Sequence, residues 1–427
     1  MKLTNLLLQV MLAMTMIIPA PGDVPPLPAN YDEAGVPDYK LPDLLKFADG
    51  SPVAAPPDWP RRRAELLELL QDQVYGFMPV EKPYMRFVET ESGLAFGGKA
   101  HRKQVRIWFK PEAEGPSIDL LLYVPAAAEG PFPAFVGLNF YGNHAISSDP
   151  AVHLATCWLR NSKDQVIAEN RAGAEGRGLN AEAWQVEYLI EQGFAIATAC
   201  HGDIDPDFDD DFQNGVHGLY PGDEPRSGNT WGTIAGWAWG LRRMMDYLET
   251  DADIDPARVA VMGHSRLGKT ALVAGALDER FALVISNNSG CGGASLSKRC
   301  FGETVETVTH YFPHWFCENF KQYVKREADL PLDQHMLLAA VAPRALYVAS
   351  ADRDFWADPR GEFISLYHAA AVYEMLGHGS FPVSEPPATD QPVSTARLGY
   401  HRRSGRHAVK RYDWERYVEF ARKLFGM

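Results

Sequence analysis

Cysteine is scarce here and badly spaced for staples. The 427 residues hold five, at positions 157, 200, 291, 300 and 317. No CxxC pair exists, which excludes a zinc ribbon or a thioredoxin-type dithiol. The number is odd, so at least one thiol stays free. Cys291 with Cys300 or Cys317 is a conceivable disulfide beside buried free thiols, and spacing alone selects no pairing. Positive charge is also short: 41 Lys and Arg against 55 Asp and Glu leave a net −14. A nucleic-acid binder needs a basic footprint, and this chain has none overall. Long apolar runs are missing apart from Leu6 to Ile18, which is too short to span a bilayer comfortably. Lys2 precedes that run, and the small residues Ala20 and Gly22 follow it. This is the pattern of a secretory signal peptide. Residues 1–22 are therefore expected to be a leader, and the protein to be secreted or periplasmic, with no membrane attachment after cleavage. There is no internal repeat. With 46% hydrophobic and 22% charged residues, disorder and a coiled-coil rod are excluded as well.

What is present reads as one long α/β domain. A Pro-rich arm covers residues 23–60, and a catalytic domain is expected over 61–427. Residues 61–72 have helical spacing. Between 84 and 140, KQVRIWF, IDLLLYV and FPAFVGLNF have strand composition between Gly and Pro breaks. Further on, GFAIATAC, RVAVMG, FALVIS and RALYVAS are buried strands. They alternate with helices over 181–192, 230–249, KTALVAGAL and a final DWERYVEFARKLF. The alternation predicts a three-layer sandwich, with a mainly parallel central sheet, antiparallel N-terminal strands and helices on both faces. Segments 144–185 and 378–400 lack periodicity and read as long loops, which in such folds often line a site.

The most informative stretch is Gly263-His264-Ser265-Arg266-Leu267-Gly268-Lys269-Thr270, between a buried strand and a helix. In one reading Gly263-x-Ser265 is a nucleophile elbow, which lifts a serine hydroxyl above the sheet and aims the N–H of Arg266 at an oxyanion. The usual elbow has glycine two places after the serine. Here that place is Leu267, and Gly268 comes one later. In the other reading the same residues satisfy the phosphate-loop pattern G-x-x-x-x-G-K-[ST], with Lys269 on phosphates and Thr270 on magnesium. Against it, over half the chain precedes the motif, no later strand ends in a clear acidic partner, and export leads away from ATP.

A serine hydrolase of this fold orders its triad Ser, acid, His. The strand RALYVAS runs into Asp352, Asp354 and Asp358. Asp352 lies too near the strand end and Asp358 is placed to cap the next helix, so Asp354 is the candidate acid. His401 and His407 both lie in the segment before the last helix, whose expected cap is Asp413. His407 is nearer the helix and follows Gly405, which lets the loop turn, so it is the candidate base. Three further clusters are weaker candidates for chemistry. Asp203, Asp205 and Asp207 alternate like calcium ligands, but Phe208 stands where an EF-hand needs glycine, and a solvated loop is expected. Pro313 separates His310 from His314 and argues against a metal pair. Asn287-Asn288-Ser289 fits a glycosylation site but follows a buried strand, and is expected to be unmodified.

Together these segments resemble the glucuronoyl esterases, carbohydrate esterase family fifteen. The resemblance rests on Gly263 to Lys269, Gly302-Glu303-Thr304, Phe312-Pro313-His314-Trp315-Phe316-Cys317, Asp354 to Pro359 and the His407 loop, in order from about residue 60 onward. It implies an α/β-hydrolase fold and cleavage of the ester between a lignin alcohol and 4-O-methyl-glucuronate on xylan, without metal or cofactor. Carried over, Ser265 is the nucleophile, His407 the base and Arg266 an oxyanion donor. Lys269, Glu303 and Trp356 contact the sugar. Many members carry a glutamate as triad acid just after the FALVIS-type strand; this chain has Asn288 there, which leaves the role to Asp354. A second oxyanion donor is expected from Gly137 to His144, and a monomer is expected. Other carbohydrate esters, acetylxylan among them, are the alternative substrates. A non-catalytic carbohydrate-binding protein on the same fold would need no triad. Arg266 and Lys269 place two positive charges beside the serine of an acidic protein, where they could hold a uronate product.

Overall fold

In the computed structural model, residues 27–220, 222 and 226–427 are described, so the expected leader lies outside them. The irregular arm leads into helix α1 (Trp59–Leu70). Strands β1 (Arg86–Ala95), β2 (Ala100–Trp108), β3 (Ser117–Pro125) and β4 (Phe132–Asn139) follow. A two-strand ribbon, β5 (Ile167–Ala168) and β6 (Arg171–Ala172), lies in the long loop. Then come α2 (Val186–Glu191), β7 (Ala195–Cys200), α3 (Thr233–Leu248), β8 (Ile254–His264), α4 (Arg266–Leu277) and β9 (Leu283–Asn287). The remainder is α5 (Val305–Tyr311), β10 (Ala345–Ala351), α6 (Pro359–Met375), β11 (Val393–Ser394), β12 (Leu398–Arg403) and α7 (Arg411–Phe425).

Ten strands form one sheet in the order β1-β2-β3-β7-β4-β8-β9-β10-β12-β11. The pairings from β1 across to β7 are antiparallel, and those from β7 across to β12 are parallel. Side chains alternate across a strand, and the sheet sorts them accordingly. Leu120, Leu122, Val136, Val261 and Val348 join one core cluster with α1, α3, α4 and α6. Leu121, Tyr123, Phe135, Ala260 and Tyr347 join another with α2 and α7. The central strands are thus apolar on both faces, as their uninterrupted hydrophobic runs require. This is the expected three-layer sandwich. Among the described residues no helix is long and apolar enough to cross a membrane.

The arm is irregular but docked. Leu44, Phe47 and Val53 are buried. The carbonyl of Asn30 accepts from the N–H of Gly302, and Glu33 pairs with Arg299.

The largest departure from expectation lies near the C-terminus. LGYHRR is not loop but the parallel strand β12, with β11 antiparallel at its edge. Both runs are short, and β12 carries three basic or imidazole side chains, which hid the strand. Asp413 explains how that charge is tolerated. It is fully buried; His401 Nε2 lies 2.8 Å from one oxygen, and Arg403 Nε (2.9 Å) and the Lys410 N–H (2.7 Å) donate to the other. Helix α7 starts at Arg411, with Lys410 as its cap. Asp413 is therefore the third residue of the helix and not the cap, and reaches back to the capping residue. Asp358 does cap α6, accepting from the Gly361 N–H at 2.9 Å. Removing one partner of a buried charged cluster strands the others. Asp413→Ala is expected to cost about 3–5 kcal/mol, measured by urea unfolding followed by tryptophan fluorescence.

Candidate active site

The parallel strands β8, β9, β10 and β12 are neighbours, and each passes a key residue into the loop beyond its C-terminal end. These are Ser265, Asn288, Asp354 and His407. Such carboxyl ends are where α/β sheets bind ligands.

Ser265 has φ 56° and ψ −132°, a strained conformation for a residue with a side chain. A tight strand-to-helix turn enforces it. A methyl group on Gly263 would lie 1.9 Å from the Leu267 carbonyl oxygen. One on Gly268 would lie 3.0 Å from Ser289 Cβ. Glycine at 268, three places after the serine, is thus where α4 crosses the end of β9. The carbonyl of Ser265 accepts from the N–H groups of Gly268 (2.8 Å) and Lys269 (3.2 Å).

His407 and Asp354 meet as expected from their positions. Nδ1 of His407 lies 2.6 Å from Asp354 Oδ2, so the imidazole donates there and leaves Nε2 for the cleft. Asn288 Nδ2 donates to the same oxygen at 2.7 Å. Asp354 is buried, and burial alone would raise its pKa. The charge of His407, with hydrogen bonds from His407 and Asn288, carries it below the ordinary carboxylate value instead. His401, the other candidate base, is fully buried in β12 against Asp413 and Tyr347, away from the cleft. Asp352 accepts from the Gly405 N–H and braces the His407 loop. His264 packs against His407 in a tilted arrangement, with ring centroids 4.3 Å apart. Burial, then the neighbouring His407 charge, pushes its pKa down to about 3, which keeps it neutral.

A cleft is lined by Ser265, Arg266, Lys269, Glu303, Trp356 and His407, among others. Lys269 is buried and donates to Ser289 O, Cys291 O and Glu303 Oε2, each at 2.6 Å. All three of its protons are used, and Thr270 Oγ1 donates to the Arg266 carbonyl. The phosphate-loop reading thereby loses both its lysine and its hydroxyl. The indole N–H of Trp356 is buried and has no protein partner.

Two expectations need correction. Asp205 and Asp207 are not in a solvated loop; both are buried. Asp207 accepts from Trp315 Nε1 (2.8 Å), lies 3.1 Å from His314 Nε2 and pairs with Arg266 Nε at 3.3 Å. Burial opposes its charge, but Arg266, His314 and Arg160 hold it well below the usual carboxylate range. The Arg266 guanidinium lies over Phe140, Trp315 and Phe312, at 5.1, 5.3 and 5.9 Å. Secondly, Arg266 and Lys269 are not a bare positive pair, because Asp207 and Glu303 neutralise them. The 137–144 segment, where a second oxyanion donor is expected, places Phe140 beneath the Arg266 guanidinium and against His264. Asn287, Asn288 and Ser289 are all buried, which suits an unmodified asparagine.

Two contributors gave little signal in sequence. Tyr31 of the arm packs edge-on against Phe301. Its burial, then the charges of Asp354 and Glu303, raise its pKa to about 12. Glu362, fully buried in α6, accepts from the Ser289 N–H (2.6 Å), the Gly290 N–H (3.2 Å) and Ser350 Oγ (2.6 Å). Both residues act across large sequence separations, where periodicity carries no information.

The fold and the elbow define a carboxylic-ester hydrolase of the α/β-hydrolase type. Comparison with known proteins agrees. A family model described as glucuronyl esterase, fungi, matches residues 216–377. A carbohydrate esterase of an unknown prokaryotic organism is 47% identical, over 99% of this chain and 98% of its own. A 4-O-methyl-glucuronoyl methylesterase of Schizophyllum commune is 30% identical, over 88% of this chain and 82% of its own. Among solved structures, a promiscuous esterase of carbohydrate esterase family 15 from a marine bacterial metagenome has a TM-score of 0.87 at 47% identity, covering 93% of this chain and all of that one. The glucuronoyl esterase of Solibacter usitatus also has a TM-score of 0.87, at 43% identity, covering 92% of this chain and all of that one. The chain belongs to the glucuronoyl esterase family, carbohydrate esterase family 15.

Burial, reinforced by the charge of Asp354, raises the Glu362 carboxyl from 4.5 to about 8 against its hydrogen bonds. A carboxyl raised in the folded state favours unfolding once the unfolded chain can ionise it. Its contribution therefore reduces stability as pH rises from 4.5 to about 8. Glu362→Gln is expected to flatten that decline, measured as urea-unfolding free energy across the interval.

Proposed function

We propose that this esterase hydrolyses esters of glucuronate, including those joining lignin alcohols to glucuronoxylan, through an acyl-enzyme on Ser265. The observation that carries this is the 2.6 Å His407–Asp354 pair beside a serine held on a strained elbow. Ser265 attacks the ester carbonyl while Nε2 of His407 takes the hydroxyl proton. Asp354 holds the imidazole by Nδ1 and stabilises its positive charge; Asn288 in turn orients Asp354. The oxyanion forms at the N-terminus of α4, beside the Arg266 N–H and its guanidinium. His407 returns the proton to the departing alcohol, and water then releases the uronate. Glu303 and Trp356 face the sugar. Lys269 holds Glu303 in place and reaches a sugar hydroxyl only by releasing one of its three protein acceptors. No step calls on a metal or cofactor. The relatives' names support the substrate class, and an exported monomer fits a polymeric substrate outside the cell.

Acetylxylan remains the second substrate to test, because the 47% identical solved structure is described as promiscuous. Hydrolysis of benzyl glucuronate is expected to exceed deacetylation of acetylated xylan. The reverse ranking would reassign the substrate. Ser265→Ala is expected to remove both activities, and Asp354→Asn to lower kcat by about 10⁴-fold. A loss under tenfold for Asp354→Asn would take the acid role from that residue.

A further inference from the structure

We infer that Cys157 and Cys200 form a redox-active thiol pair, converted to a disulfide by exchange with a disulfide-bearing oxidant. Their sulfurs lie 3.5 Å apart. The other three cysteines have no thiol beside them. Cys291 Sγ faces Ser297 Oγ at 3.6 Å, Cys300 Sγ faces backbone carbonyls, and Cys317 Sγ faces the Asp72 carbonyl at 3.7 Å. The pairings within 291–317 that the spacing allowed are therefore not made, and the fold brings together two cysteines 43 residues apart.

The juxtaposition is built into the backbone. Cys200 ends β7, and Gly202 follows in the next turn. A methyl group on Gly202 would lie 3.0 Å from Cys157 Sγ and 2.5 Å from the Trp158 carbonyl oxygen. Only glycine there lets the 144–185 loop rest directly on the end of the strand. The loop needs such an anchor. Its regular structure is limited to the β5–β6 ribbon and short turns. Its own core is a small cluster of Leu159, Ile167 and Cys200, flanked by Tyr141, Ala155, Cys157 and Ala172. Beyond it, Trp158 packs on Phe208 at 4.8 Å, and Arg160 donates to the Asp207 carbonyl at 2.9 Å. A covalent tie of this span removes conformational freedom from the unfolded chain.

The chemistry balances with an external disulfide as the oxidant. Cys157 is half-buried and Cys200 fully buried, so the oxidant reaches Cys157 first. The Cys157 thiolate attacks one sulfur of the oxidant, forms a mixed disulfide and releases the first thiol. Cys200 then attacks Cys157 Sγ and expels the second thiol. Two electrons and two protons pass from the pair to the oxidant. The sulfurs must close from 3.5 Å to about 2.0 Å, a movement the loop side can supply. His201 Nδ1 lies 4.0 Å from Cys200 Sγ; Cys200 and the Asp203 carboxyl beside Cys157 hold its thiol above the ordinary value, so the first attack is faster at alkaline pH.

Folded protein incubated with oxidised glutathione, then denatured and alkylated, is expected to carry three labels in place of five. A peptide map should join the segment holding Cys157 to the one holding Cys200. Reduction with a phosphine should lower Tm by about 2–6 °C. Cys157→Ser should abolish that difference while keeping the reduced protein's Tm and esterase rate. Should the variant fail to fold, the wild-type labelling decides alone. Five labels after oxidation, a glutathione adduct persisting on Cys157, or a bond between other cysteines would each overturn the inference.

Discussion

The turn between β8 and α4 is the constraint to which the rest of the site is fitted. Gly263 and Gly268 allow the helix to start against the strand it has just left and against the end of β9. Ser265 is held at positive φ by that crossing, with its N–H bonded to the Asn287 carbonyl at 2.9 Å. One helical turn on, Lys269 faces the same way and gathers the carbonyls of Ser289 and Cys291 with the carboxylate of Glu303. A single eight-residue segment thereby orders the serine, the loop after β9 and the acidic wall of the cleft. The match to a phosphate loop arises because both motifs place glycines where a helix begins close to a strand. The two part at the lysine, which here turns inward to protein oxygens.

Buried carboxylates carry much of the remaining architecture. Asp207 gathers Arg266, His314 and Trp315, and Asp413 joins β12 to α7. Each is satisfied by several donors from distant parts of the chain, which is the condition for a buried charge to be tolerated. The net charge of −14 therefore says little about the cleft. Locally Arg266 and Lys269 are each matched by an acid, so a uronate product meets no uncompensated positive charge to retain it.

Much of the fold was legible because the parallel strands are apolar on both faces and the helices between them are long. The serine, Asp354 and His407 were legible because strand–turn–helix order restricts where such residues can stand. The aspartates after RALYVAS could be separated once Asp358 was given to the helix cap. Elsewhere the local pattern misled. LGYHRR looks like loop because His401 and Arg403 are polar, and only Asp413, ten to twelve residues later, makes them compatible with burial. Asp207 looks solvated because its partners, Arg266 and His314, lie 59 and 107 residues away. The docking of Tyr31 beside Phe301 and the meeting of Cys157 with Cys200 are likewise products of tertiary packing.

Asn288 and Asp354 leave the ends of neighbouring strands, β9 and β10, which in any sheet lie about 4.8 Å apart. Their side chains meet in a 2.7 Å hydrogen bond. In evolutionary terms, an acid serving His407 can pass from one strand end to the next while the serine and the histidine stay where they are. A chain carrying acids at both ends would hold two like charges in a buried space. An amide at 288 resolves that conflict and leaves a donor in place of a competitor. In this chain the acid stands at the end of β10, and the end of β9 supplies its donor.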